Sequence, residues 1–176
     1  MLLRKINAII SLLATLFLLA HAIFTSAWML SKGSIEQSAP VAPWILASLI
    51  AAHAFIGIYL AISSHMEGEK RKVKSYPKMN RVTIFQRVSG MLLIIFTALH
   101  VAGASGAMQP PQIVHTIVPP LFFAIALAHA AFSTDKAFIT LGLGNARFVK
   151  IVGVITKVIC GATLIAAITG FYLYVW

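Results

Sequence analysis

Long runs without a charged residue alternate along the chain with short polar segments. Residues 7–30, 41–66 and 88–134 contain no Lys, Arg, Asp or Glu. A bilayer core needs roughly 20 consecutive apolar residues per helical crossing, so the first two runs predict one span each, TM1 (7–30) and TM2 (41–66). The third is long enough for two. The stretch from Gly103 to Pro111 (Gly-Ala-Ser-Gly-Ala-Met-Gln-Pro-Pro) divides it into TM3 (88–108) and TM4 (112–134). Residues 148–176 form TM5, with Lys157 near its start and able to reach back to the head groups along its apolar stem. TM1, preceded by Arg4 and Lys5, has the outline of a signal peptide, but it far exceeds the roughly 7–15 residues of a signal core. The runs lack the strict alternation of barrel strands, and lipid offers backbone groups no water to bond. The expected fold is an all-α, five-helix integral membrane bundle.

Composition strengthens this picture. Of the 176 residues, 60% are hydrophobic and only 10% charged, whereas soluble domains carry about 25% charged residues. Five spans leave no room for a separate soluble catalytic domain. The single cysteine, Cys160, rules out a disulfide framework, a four-cysteine zinc site and an iron–sulfur cluster held by this chain alone.

The charge is lopsided, with 14 Lys and Arg against 4 Asp and Glu. In the alternating topology every basic residue except Lys32 falls on one side: Arg4 and Lys5, the group from Lys70 to Arg87, and Lys136, Arg147, Lys150 and Lys157. The positive-inside rule makes that side cytoplasmic, with the amino terminus inside and the carboxyl terminus outside. Trp28, Trp44 and Trp176 then all lie at the outer interface, where amphipathic rings prefer to sit. The basic residues hug span ends and show no nucleic-acid motif. They suit orientation, anionic lipid contact and, in the loop from Glu67 to Arg81, docking of an acidic cytoplasmic partner.

Ionisable groups inside a span are functional candidates, and here they are histidines: His21 in TM1, His53 in TM2, His100 in TM3 and His129 in TM4. One histidine on each of four consecutive helices is what a bundle needs to hold two b-type haems by paired axial imidazoles. In an up-down bundle TM1 faces TM3 and TM2 faces TM4 across the diagonals, which pairs His21 with His100 and His53 with His129. His21 lies roughly 10 Å below Trp28 and His100 roughly 20 Å above Arg87, both in the outer half. His129 lies roughly 9 Å from the inner boundary at Asp135. His53 is nearer mid-membrane, so its pairing requires TM2 to continue a turn or two into the cytoplasm. The plainer alternative is four separate helix-contact histidines.

Gly57, Gly90, Gly103 and the alanines flanking His129 would leave room for a flat macrocycle, and equally for close helix packing. His65 and His115 sit at span ends and read as interfacial. Pro119, whose ring would clash with the carbonyl of His115, predicts either a kink in TM4 or its true start. Glu36, the single outer acid, reads as a solvated loop residue before it reads as an acceptor of quinol protons.

The run Phe85-Gln86-Arg87-Val88-Ser89-Gly90 leading to His100, and His53 followed by Gly57-Ile58-Tyr59, resemble motifs of the dihaem cytochrome b subunit of succinate:menaquinone oxidoreductases and quinol:fumarate reductases. The order of histidines, with none on the fifth helix, is similar as well. The resemblance implies that His53 and His129 ligate the haem nearer the cytoplasm, and His21 and His100 the outer one. It also implies a flavoprotein subunit and an iron–sulfur subunit docked on the cytoplasmic side of a bacterial or archaeal membrane, with electrons passing through both haems to or from menaquinone. Arg87 and Lys136, at the inner ends of haem-bearing helices, are candidates for the propionates or simply interfacial anchors. Two rivals remain open: a dihaem cytochrome b of an ascorbate- or formate-linked system, and a small transporter or assembly protein that binds no haem.

Overall fold

Without water to compete for backbone hydrogen bonds, each apolar run satisfies its amides internally by forming a helix. The computed structural model describes residues 2–32, 43–70, 81–104, 106–107 and 112–175. These form α1 (Leu2–Leu30), α2 (Pro43–Lys70), α3 (Arg81–Ala104), α4 (Gln112–Leu141) and α5 (Ala146–Val175), with no strand among the described residues. All five are long and apolar enough to cross a membrane. Glu36, Trp176 and most of the basic loop between α2 and α3 lie outside the described residues, as do the side chains of His65 and His115.

At the basic end the helices outrun the uncharged segments. α1 begins at Leu2, α2 ends at Lys70, α3 begins at Arg81 and α4 continues past Asp135 to Leu141. Charged and polar side chains end an apolar run without breaking a helix, so charge marks the edge of the span and not the end of the helix. α3 stops at Ala104, short of the expected 108. There Gly106 takes a φ of 74° and its N–H bonds the carbonyl of Gly103 at 3.2 Å. α4 passes through Pro119 and Pro120, so the span does not start at Pro119. Neither proline has an N–H to offer the carbonyls four residues earlier.

The turn from α4 to α5 follows from local chemistry. The Gly142 N–H bonds the Ile139 carbonyl and the Leu143 N–H bonds the Phe138 carbonyl, both at 3.1 Å. That is the pattern of a helix closed by a left-handed residue, and Gly142 has a φ of 72°. Asn145 Oδ1 then accepts the Phe148 N–H at 2.9 Å, capping the start of α5.

α3 and α4 run antiparallel, Gln86 meeting Phe132 and His100 meeting Phe122, and the ends of α1 and α5 meet where Trp28 packs on Tyr174 with ring centroids 4.8 Å apart. The tight core lies along the seam of α1, α4 and α5. Leu127, Ala130, Ala131 and Cys160 form one cluster, and Ala22, Phe123 and Ala167 another. Gly170 lets α5 close on α1, since a Cβ there would stand 3.2 Å from both the Ser26 carbonyl and the Met29 Cβ. The fifth helix is therefore a main packing partner and not an appendage to a four-helix bundle.

Gly153 plays the corresponding part toward α4, where it accommodates the Asp135 carboxylate. Lys157 donates to Asp135 Oδ2 at 3.1 Å and lies 5.8 Å from the centre of the Phe132 ring. This corrects the expectation that Lys157 reaches for the head groups: an acid on the neighbouring helix is nearer, and pairing inside a span costs less than leaving either charge alone.

α2 packs on α1 and α3 on α4, but α2 and α3 touch only sparsely. Across the diagonals, α1 with α3 and α2 with α4, no backbones approach one another among the described residues. Within the most apolar stretches of α2 and α3 only 6% of residues are buried, against 33% in α4 and 22% in α5.

Candidate functional site

Four helices each bring one group to a site toward the basic end. His53 of α2 and His129 of α4 face each other across the diagonal with ring centroids 6.5 Å apart and planes inclined by 68°. α2 does run on past Met66, to Lys70, and His53 lies level with Asn7 near the start of α1.

Each ring is held at Nδ1 by a helix other than its own. His53 Nδ1 lies 3.1 Å from Asn7 Oδ1 of α1, an atom that only accepts, so the ring nitrogen carries the proton. His129 Nδ1 lies 2.8 Å from Ser89 Oγ of α3. Ser89 Oγ also lies 2.6 Å from the Phe85 carbonyl of its own helix. His53 is thus the Nδ1–H tautomer, and its Nε2 lone pair is left for another partner. Gly90 brings α3 against the His129 ring, whose Cε1 would be 3.4 Å from a Cβ at that position.

These residues fit a bis-imidazole metal site. With metal–imidazole bonds of about 2 Å and about 1 Å more from nitrogen to ring centre, two imidazoles on opposite sides of one ion lie about 6 Å apart. Bonding of the remote nitrogen to a fixed acceptor is the usual support of a ligating histidine. A Cβ at Gly57, one turn beyond His53, or at Gly103 would meet nothing within 4 Å.

The second pair is less closely built. His100 stacks on Phe122 of α4, with centroids 5.1 Å apart and planes inclined by 31°, and Phe96 adjoins the same ring at 6.4 Å. His21, half-buried beside the fully buried Ala22, is near enough to His100 for their charges to interact.

Lys136 does not hang free at the interface. It donates to Thr83 Oγ1 at 2.9 Å and to Gln86 Oε1, while Gln86 Nε2 donates to the Phe132 carbonyl at 2.7 Å. Gln86 therefore clips α3 to α4. Arg87 is exposed and within electrostatic range of Lys136. Asp135, the acid next in sequence, turns to Lys157 on α5.

Asn7 was not foreseen as a site residue. The signal was an amide in an otherwise apolar span, a rare and costly placement, but its position at the span edge made it read as part of the boundary. Phe122 left no trace, being one aromatic among many. No protein-family model, no curated protein and no solved structure matches this chain.

Proposed function

We propose that this chain is a dihaem cytochrome b that anchors a flavoprotein and an iron–sulfur protein of the succinate dehydrogenase or fumarate reductase type to a bacterial or archaeal cytoplasmic membrane. It would carry electrons between them and menaquinone. One observation supports the reading above the rest: two histidines from diagonally opposite helices face each other at 6.5 Å with both Nδ1 atoms engaged elsewhere.

In this reading His53 and His129 hold the inner haem, and His21 and His100 the outer. Bound haem b supplies one-electron transfer. The chain's own share is to orient four imidazoles and to surround them with apolar side chains that exclude water and set the potentials. Arg87, with Lys136 beside it, supplies positive charge suited to propionates at the basic end. The dicarboxylate chemistry belongs to the soluble partners, which the basic end would face under the positive-inside rule.

A reduced-minus-oxidised visible spectrum with pyridine haemochrome quantitation on the purified chain tests the proposal. Two haems b per chain are expected. No haem from haem-replete cells would overturn it and leave histidines that pack helices through their Nδ1 bonds, a role the Asn7 and Ser89 contacts also suit.

A further inference from the structure

We infer that Asn7 is a positioning residue that sets the tautomer of His53 and lowers the reduction potential of the metal centre His53 would ligate. This rests on the reading of His53 and His129 as axial ligands.

The inner site uses the two diagonals differently. α2 and α4 bring histidines, while α1 and α3 bring Asn7 Oδ1 and Ser89 Oγ to their Nδ1 atoms. The same two helices also carry the outer histidines. Asn7 and His21 are 14 positions apart and Ser89 and His100 are 11. At about 100° per residue each pair falls within roughly 40° on one helix face. α1 and α3 therefore each present one stripe that supports the inner ring at one level and offers an imidazole at the other.

Of the two, Asn7 Oδ1 is the atom that can only accept. Ser89 divides its hydroxyl between His129 and its own helix, as serines commonly do. Asn7 projects its side-chain carbonyl to the ring, 3.1 Å from Nδ1. An acceptor on Nδ1–H draws the proton outward and makes Nε2 more basic. A more basic ligand favours the oxidised, more positive metal, so the potential falls. Removing the acceptor raises it. Because the contact comes from α1, the potential of the inner site depends on how the first turns of that helix are seated.

The test is a redox titration of the haem-loaded chain, monitored by its visible spectrum, in wild type, Asn7→Leu and Asn7→Asp. Leucine keeps the volume and removes the acceptor, whereas aspartate restores an oxygen. Expected in Asn7→Leu is a rise in one midpoint with the other unmoved. A tenfold change in relative affinity for the two oxidation states, within the usual range for a lost ligand support, reads as ~59 mV for one electron. Asn7→Asp should stay at or below the wild-type value. If leucine costs that haem altogether, its return in Asn7→Asp shows that the acceptor matters. Unchanged midpoints in both variants, a shift of the other haem, or equal loss in both would overturn the inference. A wild-type chain without haem would instead overturn the reading beneath it.

Discussion

In the proposed dihaem reading, His53→Ala and His129→Ala are each expected to remove the same haem, and His21→Ala and His100→Ala each the other. The two groups should show different residual spectra and midpoint potentials. Each variant should fall to half the wild-type haemochrome value, because an iron gripped from two helices loses its hold when either ligand goes. The pairing of His53 with His129 rests on rings that already face each other at 6.5 Å. The other pair follows from the remaining diagonal, where His100 lies against Phe122 and near His21. Haem quantitation with redox titration of the four single variants provides the check. If His53→Ala grouped with His21→Ala, along neighbouring helices, the diagonal arrangement would be wrong.

The second large effect is one of stability and needs no cofactor. A Cβ on Gly153 would stand 2.6 Å from Asp135 Cγ and closer still to its Oδ1, far inside contact distance. The carboxylate is too short to step aside without releasing Lys157. Gly153→Ala should therefore destabilise the fold by about 2–3 kcal/mol, the upper part of the usual overpacking range. Thermal unfolding in detergent measures the loss. Asp135→Ala removes the obstacle, so the double variant Gly153→Ala with Asp135→Ala should cost clearly less than the two single changes summed. Simple additivity would show that the carboxylate does not fill the space beside Gly153.

Asp135 also shows why the sequence marked the spans well and their ends poorly. As the first acid after a long uncharged run it was an obvious boundary, yet α4 continues to Leu141 and Asp135 is used inside the bundle. Charge reports where lipid would be unfavourable, but a charge with a partner on the next helix can stay within the helix, and partners are not visible along one chain. Lys157 is the same case seen from α5.

The candidate site divides in the same way. The sequence by itself determined the five apolar helices, the segregation of basic residues to one end and one histidine on each of four helices, because these follow from composition and spacing along a chain in lipid. Only the tertiary structure decided that α5 packs into the core with α1 and α4, that α2 and α3 touch each other only sparsely, and that Asn7 and Ser89 lie at the Nδ1 atoms of His53 and His129. Those outcomes turn on which helix faces meet and at what height. They depend on glycines at Gly90, Gly153 and Gly170 and on side chains many turns apart, and the periodicity of a single helix carries no information about its neighbour.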